Sequence, residues 1–231
     1  MSKRSKLIFL LLIILSVPAC IFNSGYQEKN GTYVYVLSYE GTTRDNPIEG
    51  IDPESFVILD KHGFAKDKLR VYYEGYGIIG SDPNTFEVIS DPYGKDDSQV
   101  YYKFNVITDA DPATFEVLDS QWARDVKDVY SEHIPLDACD PASFVILQQG
   151  WEKDDQCVYR NRLRIQDADP ASFVVLNFSF AKDKNHVYSN DGSIVEGADP
   201  ATFKVSSACY ACGRDKNGCY AQNKKVNCPE P

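Results

Sequence analysis

The sequence predicts an all-β protein in which about six repeats, each ~29 residues long, stack as a solenoid-like array. Asp-Pro dipeptides recur along the 231-residue chain at intervals of 29 or 30 residues, beginning at Asp52, Asp82, Asp111, Asp140, Asp169 and Asp199. Apolar residues align in columns between the repeats, and no segment keeps the helical spacing of about 3.6 residues. A closed, propeller-like ring is the alternative, but four-stranded blades usually need about 40 residues or more, which favours the solenoid.

Each repeat opens with a turn and continues as short strands. In Asp169-Pro170, aspartate suits a helix N-cap and proline suits the first helical position, which predicts one helical turn. The apolar, β-branched run Phe173–Leu176 predicts a strand. Lys182–Asn185 then predicts a polar turn, Val187-Tyr188 the next strand and Asp191-Gly192 a hairpin turn. We therefore expect two or three short antiparallel strands and one helical turn in each unit.

Three apolar columns run through the repeats and predict the core. The first is aromatic and the other two are aliphatic. They are Phe64, Tyr93, Trp122, Trp151, Phe180 and Tyr210; Ile48, Ile78, Ile107, Leu136, Ile165 and Val195; and Ile58, Val88, Val117, Ile146, Val175 and Val205. One short hairpin cannot bury both of its faces, whereas stacked neighbours shield one another, so we expect the columns to form a continuous core. A ligand-stacking aromatic surface is the alternative.

The repeats resemble the DKNYY family of bacterial proteins. The closest copy is Phe180–Tyr188, which contains Asp183-Lys184-Asn185, and the segment Ala198–Phe203 also fits the family pattern. Six copies carry the resemblance over most of the chain, although several depart from it, such as Asp97-Ser98-Gln99. The resemblance implies an exported or envelope-associated protein without an assigned activity.

The N-terminus has the pattern of a secretory signal peptide. Lys3, Arg4 and Lys6 flank the start of an 11-residue apolar run, Leu7–Val17, which is far shorter than the roughly 20 residues of a membrane-spanning helix. Small residues before Cys20 resemble a lipobox, and lipid on Cys20 leaves six of the seven cysteines to pair. Ordinary cleavage, giving a soluble exported protein, and an uncleaved anchor are the alternatives. We predict a signal peptide over 1–19, a lipidated linker over 20–26 and a repeat domain over 27–231, with a Cys-rich cap from about residue 207.

The other six cysteines predict three disulfides. Cys139 precedes an Asp-Pro and Cys157 precedes a Val-Tyr of the same repeat, so we expect these two to pair. The remaining four crowd the last repeat: Cys209, Cys212, Cys219 and Cys228. We expect two disulfides that cap the array, because exported thiols are usually oxidised. The sequence leaves the three pairings open, with a four-thiolate zinc site and a redox Cys-x-x-Cys pair as alternatives.

The other polar residues predict no catalytic, cofactor or metal site. His62, His133 and His186 lie at different positions of their repeats, so stacking does not bring them together as metal ligands. The hydroxyl residue after each Asp-Pro recurs without a paired base, which indicates turn capping rather than nucleophilic catalysis. A recurring aspartate, preceded by a basic residue, occupies Asp67, Asp96, Asp125, Asp154, Asp183 and Asp215. This pattern predicts solvated turn contacts, with a calcium-binding column as the alternative.

Charge narrows the classes of partner. The formal charge is −10 and the isoelectric point about 4.8, and removing the three cations of residues 1–19 leaves −13, which disfavours nucleic acid. We therefore expect a non-enzymatic lipoprotein of the bacterial cell envelope, held at the membrane by a lipid on Cys20. Its array would bind a protein or glycan partner. An envelope hydrolase with a site between repeats and a structural spacer are the alternatives.

Overall fold

Short antiparallel strands account for nearly all the regular structure. The computed structural model describes residues 24–60, 63–206 and 211–228. Within these ranges the strands form seven small antiparallel sheets, and none of them closes into a barrel. The predicted all-β class and repeat architecture are confirmed.

The sheets follow one another along the chain and are numbered in that order. Sheet 1 contains β1 (Gly25–Lys29), β2 (Thr32–Tyr39) and β3 (Thr42–Pro47), and sheet 2 contains β4 (Val57–Ile58), β5 (Phe64–Lys66), β6 (Val71–Tyr73) and β7 (Tyr76–Gly77). Sheet 3 contains β8 (Glu87–Ser90), β9 (Tyr93–Lys95), β10 (Val100–Tyr102) and β11 (Asn105–Ile107), and sheet 4 contains β12 (Glu116–Val117), β13 (Trp122–Arg124), β14 (Val129–Ser131) and β15 (Ile134–Pro135). Sheet 5 contains β16 (Val145–Ile146), β17 (Trp151–Lys153), β18 (Val158–Arg160) and β19 (Leu163–Arg164). Sheet 6 contains β20 (Val174–Val175), β21 (Phe180–Lys182) and β22 (Val187–Ser189), and sheet 7 contains β23 (Lys204–Ser206), β24 (Cys212–Asp215), β25 (Gly218–Ala221) and β26 (Lys224–Val226).

Most sheets are four-stranded meanders, one strand more than the sequence predicts. Among the described residues, sheets 1 and 6 have three strands and the other sheets have four. In sheet 3, Tyr101 lies opposite Gly94 on one side and Val106 on the other. The additional strand arises because the residues of the aromatic column, read only as core contacts, are themselves extended and pair with both neighbours.

The Asp-Pro segments form tight turns, and the predicted helical turn is present in one of them. A 3-10 helix covers Pro141–Ser143, and a second one, outside the Asp-Pro motif, covers Gln148–Gly150. In most of the others the third residue after aspartate donates to its carbonyl, as Ser55 N–H does to Asp52 O at 3.3 Å, and at Asp82 the fourth residue, Phe86, does so at 3.0 Å. The turn ends at once because the next phenylalanine is extended, as at Phe144 with φ −61° and ψ 132°.

The core lies between the sheets. Buried side chains of the described residues form six clusters, and each cluster joins two consecutive sheets. Phe64 and Val71 of sheet 2, for example, meet Phe86 and Tyr101 next to or within sheet 3, whereas Ala65 packs toward sheet 1. Successive residues of a strand point to opposite faces, so one short strand serves both interfaces. None of these six clusters joins sheet 1 to sheet 7, which fits a solenoid-like array.

Two of the three predicted columns lie in the core, and the third lies nearer the surface. The described aromatic residues, Phe64, Tyr93, Trp122, Trp151 and Phe180, are buried, and Tyr210 lies outside the described ranges. Ile48, Ile78, Ile107, Leu136 and Val195 are also buried, and Ile165 is half-buried. In the third column Ile58, Ile146 and Val205 are exposed, and Val88, Val117 and Val175 are half-buried. The prediction for this column was wrong in part because these residues belong to the first strand of each sheet, which has a neighbour on one side only.

Candidate functional site

The recurring aspartates are buried hydrogen-bond centres, and Asp96 shows the geometry. Its Oδ1 accepts the backbone N–H groups of Ser98 and Gln99, both at 2.8 Å. Its Oδ2 accepts the Tyr101 hydroxyl at 2.7 Å and the backbone N–H of Asp82 at 3.0 Å. One carboxylate therefore fixes the hairpin turn, the following strand and the Asp-Pro turn of its repeat.

This centre recurs along the array, so the prediction of solvated turn contacts was wrong. The aspartates at most 5% exposed are Asp67, Asp96, Asp125, Asp154 and Asp183. Each accepts a tyrosine hydroxyl and the N–H of an Asp-Pro aspartate. Asp215 is half-buried and accepts the N–H groups of Asn217 and Gly218. Because these oxygens already bind protein donors, the calcium-binding alternative gains no support.

Hydrogen bonding outweighs burial in setting the pKa of Asp96. Burial alone would raise the pKa of Asp96, but the N–H of Asp82, the Tyr101 hydroxyl and the turn N–H groups bring that pKa below its usual value. Burial, reinforced by the Asp96 carboxylate, raises the pKa of Tyr101 far above its usual range. At neutral pH the carboxylate thus stays ionised and the hydroxyl stays a donor, which makes the pair a structural element rather than an acid–base catalyst.

The basic residue before each aspartate connects one repeat to the next. Lys95 Nζ donates to the carbonyl of Pro112 at 3.0 Å, and Lys66 Nζ donates to the carbonyl of Pro83 at 2.7 Å. Equivalent bonds join Lys153 to Pro170, Lys182 to Pro200 and Arg124 to Ala142. Neighbouring residues of an extended chain point to opposite sides, so the basic residue and its aspartate do not pair. The polar signature therefore holds each repeat together and also holds consecutive repeats to one another.

The hydroxyl residues cap the turns, as the sequence indicates. Ser143 Oγ donates to Asp140 Oδ2 at 2.7 Å and accepts the backbone N–H of Asp155 at 3.0 Å. The equivalent N–H in the other repeats is accepted by Ser55, Thr85, Thr114, Ser172 and Thr202. The hydroxyl groups thus join the Asp-Pro turn to the hairpin turn.

Disulfides reinforce sheets 5 and 7. Cys139 and Cys157 are joined with an S–S distance of 2.00 Å, and we call this bond the sheet-5 disulfide. Cys219 and Cys228 are joined at 2.06 Å, and Cys212 is also disulfide-bonded. Sulfurs in disulfides are not thiolates, so the four-thiolate zinc alternative gains no support from Cys212, Cys219 and Cys228. Disulfides indicate an exported protein outside the reducing cytoplasm.

Several predicted residues lie outside the described ranges or apart from one another. Cys20, Cys209 and His62 are not described. His133 stacks on the Tyr102 ring with centroids 6.4 Å apart, and His186 contacts the Tyr188 hydroxyl at 3.3 Å, so these histidines serve different sheets. Within the described ranges no three His, Cys, Asp or Glu side chains gather as a metal site. The same ranges contain no helix long and apolar enough to cross a membrane.

One buried position breaks the repeat, and the sequence analysis missed it. The residue two before each recurring aspartate is small in the other repeats: Ala65, Gly94, Ala123, Ala181 and Gly213. In sheet 5 this residue is Glu152, which is 4% exposed. Aligning the repeats on their aspartates would have found it, because a carboxyl replaces alanine or glycine at a core position.

The Glu152 carboxyl has no internal partner for one of its oxygens. Oε2 is buried and makes no hydrogen bond within the described structure. Burial raises the pKa of Glu152 to about 7, and the Arg160 guanidinium opposes this rise. Arg160 is itself engaged elsewhere, because its Nε donates to Asn190 O at 2.5 Å, its Nη1 donates to Gln149 O and its guanidinium lies 5.2 Å from the Trp151 ring centroid. The described fold therefore leaves Oε2 of Glu152 without a hydrogen-bond donor.

Glu152 lines an open cleft between sheets 4 and 5. The cleft has a volume of about 440 Å³, which is in the usual range for small-ligand sites. Its lining consists of Asp119, Gln121, Trp122 and Ser131 from the sheet-4 repeat and Ile146, Gly150, Glu152, Asn161 and Arg162 from the sheet-5 repeat. Amides, carboxyls, a hydroxyl, a guanidinium and an indole can bond to a polar ligand and pack against its apolar side.

Comparison with known proteins gives a family but no functional relative. No match was found among curated proteins, and none was found among solved structures. A family model described as DKNYY family matches residues 5–105 and residues 93–224. These two overlapping segments cover most of the sequence and all of the Asp-Pro repeats, so the chain belongs to the DKNYY family.

Proposed function

We propose that this chain is a non-enzymatic, lipid-anchored scaffold of the bacterial cell envelope whose β array binds a protein or glycan partner. The disulfides support a place outside the cytoplasm. A lipid on Cys20 fits the short apolar leader and the odd number of cysteines. The lipid would hold the array at the membrane surface and leave its sheets free to meet a partner.

One observation carries the binding role. The polar residues that recur in every repeat are engaged in hydrogen bonds that hold the array together. In the cleft between sheets 4 and 5, by contrast, the non-repeated Glu152 keeps a buried oxygen without a partner. A scaffold that uses its repeated groups for architecture would recognise its partner with the non-repeated ones.

A hydrolase of envelope polymers is the second candidate, and Glu152 is the observation that favours it. A carboxyl whose pKa is raised to about 7 by burial can act as a general acid near neutral pH. Asp119 lines the same cleft and would supply a second carboxyl. Release of soluble fragments from the polymer distinguishes hydrolysis from binding alone.

Metabolic labelling with a fatty-acid probe tests the anchor. The wild-type chain should take up the probe, and the Cys20→Ala variant should not. The double variant Cys139→Ala, Cys157→Ala is the matched control and should be labelled like wild type, because these sulfurs pair with each other. Equal labelling of wild type and Cys20→Ala would contradict the anchor.

Co-sedimentation with isolated peptidoglycan sacculi, together with affinity capture from a solubilised envelope extract, tests the binding role. We expect the purified chain to bind one of these materials in a saturable way and to release no soluble fragments from sacculi. If wild type releases soluble fragments and the Glu152→Ala variant does not, the chain is a hydrolase rather than a non-enzymatic scaffold. Absence of saturable binding to both materials would contradict the proposed function.

A further inference from the structure

We propose that the cleft between sheets 4 and 5 binds a neutral saccharide unit, with the Glu152 carboxyl among its hydrogen-bonding groups. This inference deepens the proposed function and rests on it, because it selects a glycan as the partner and assigns that partner to one cleft. Its starting point is a buried carboxyl oxygen that lacks a donor at a position where the other repeats carry alanine or glycine.

The protonation behaviour of Glu152 favours a hydroxyl group as its partner. Burial raises the pKa of this carboxyl to about 7, so both protonation states are present near neutral pH. A ligand hydroxyl can donate to the carboxylate and can also accept from the O–H of the carboxylic acid, whereas an ammonium group has no acceptor for that O–H. Polyhydroxylated ligands therefore match the carboxyl in either state.

The charges around the cleft disfavour a strongly ionic ligand. Asp119 and Glu152 would repel an anion, and Arg162, in a hairpin turn of the same sheet as Glu152, offsets part of their attraction for a cation. Gln121 and Asn161 add amide groups that donate and accept hydrogen bonds without charge. This mixture of acids, amides and one guanidinium suits a neutral ligand with many hydroxyl groups.

An apolar wall completes the chemistry that a sugar ring requires. Trp122 lines the cleft and is itself fixed by the Phe144 ring, with centroids 5.3 Å apart. Ile146 is 39% exposed and adds aliphatic surface. A pyranose has one face of C–H groups and a rim of hydroxyl groups, so it can pack on Ile146 and the small exposed part of the Trp122 indole while its rim reaches Glu152 and the amides.

Both sheets contribute to the cleft, which explains why one repeat alone does not reveal it. The sheet-5 hairpin turn brings Asn161 and Arg162 to the cleft with φ values of 52° and 64°, both in the left-handed region. Glycine occupies the position equivalent to Arg162 in sheet 2, where Gly75 has φ 84°. Arg162 therefore has a left-handed backbone conformation that glycine adopts more easily than arginine does.

Isothermal titration calorimetry of the purified, disulfide-intact chain tests the site. The probes are neutral tetrasaccharides of glucose, galactose, mannose and N-acetylglucosamine, with tetragalacturonic acid and a glucosamine tetramer as charged controls. We expect saturable binding of at least one neutral probe, bound at least tenfold more tightly than either charged probe. Failure to bind any neutral probe, or tighter binding of a charged one, would overturn the inference.

The Glu152→Ala variant ties binding to the cleft. It restores the small residue found in the neighbouring repeats, so it should fold, and we expect at least a tenfold loss of affinity. Glu196→Ala changes an exposed glutamate away from the cleft and should bind like wild type. If Glu152→Ala and wild type bind the tetrasaccharide equally, the inference is overturned. Binding of sacculi by wild type without binding of any neutral tetrasaccharide would overturn the site and leave the scaffold function standing.

Discussion

Replacing Asp96 by alanine tests whether the buried aspartates hold the repeats together. The change removes the acceptor of four hydrogen bonds, including that of the buried Tyr101 hydroxyl. Charge-assisted bonds contribute about 1.5–3 kcal/mol each, but the Ser98 N–H can turn to water and Tyr101 keeps the Gly80 carbonyl at 3.4 Å. We therefore expect the free energy of unfolding to fall by about 3 kcal/mol rather than by the sum of four bonds.

Urea unfolding at pH 7, followed by circular dichroism and by fluorescence, measures this loss. Asp97→Ala is the matched control, since it removes the adjacent but exposed carboxyl and should change stability by less than about 0.5 kcal/mol. Tyr101→Phe removes the hydroxyl that donates to Asp96 and should cost about 1–1.5 kcal/mol. Coincident transitions by both probes are needed before the free energies are compared.

Acid should diminish the effect of Asp96→Ala. Because the pKa of Asp96 is lowered in the folded chain, its contribution is full above its ordinary pKa of about 4 and is lost as the pH falls through the lowered value. The difference between wild type and Asp96→Ala should therefore shrink in acid. A loss under 1 kcal/mol at pH 7, or a difference that acid leaves unchanged, would refute the reasoning.

Further predictions concern packing, redox state and pH. Gly94→Ala would bring a Cβ to 2.4 Å from the Phe86 ring and should lower the free energy of unfolding in urea by about 2 kcal/mol. The control Gly77→Ala, whose Cβ meets nothing closer than 4.0 Å, should change it by less than about 0.5 kcal/mol. Equal effects of the two substitutions would contradict the packing of Gly94 against Phe86. Removing the sheet-5 disulfide, which closes a separation of 18 residues, should lower the free energy of unfolding by about 3 kcal/mol, and an unchanged urea midpoint would count against it. Glu152→Ala should stabilise the chain by up to about 3 kcal/mol at pH 8 and hardly at all at pH 4. Burial raises the pKa of this carboxyl from 4.5 to about 7, and ionising it in the folded chain costs free energy that develops as the pH rises between those values. A gain in stability that does not vary with pH would contradict burial of Glu152 as the cause.

The repeat, its period and two of its three core columns were predictable because they depend on residue type and spacing alone. The buried environment of the recurring aspartates was not predictable in this way. Lys95 and Asp96 are adjacent in the sequence, and adjacency suggested that they pair at the surface. In the extended chain they point to opposite sides, so Lys95 reaches the next repeat while Asp96 turns into its own. The alternation of side chains along the extended chain therefore decides whether a residue contacts its own repeat or the next one.

The cleft was harder to predict because it is made by residues of two repeats. Glu152 stands out in sequence only after the repeats are aligned on their aspartates, and its orphaned oxygen follows from packing against sheet 4. Asn161 and Arg162 lie in a hairpin turn whose sequence gives no sign of what it faces. A carboxyl that weakens the fold at neutral pH is the kind of departure that function retains at the expense of stability.

Hydrogen–deuterium exchange of wild type and Phe86→Ala tests the stacking of β modules most directly. Phe86 contacts Phe64 and Tyr101 in the cluster between sheets 2 and 3. If each sheet is stabilised by its neighbours, the variant should lose protection in sheets 2 and 3, lose less in sheets 1 and 4, and keep wild-type protection in sheets 6 and 7. A uniform loss of protection across all seven sheets would contradict the account.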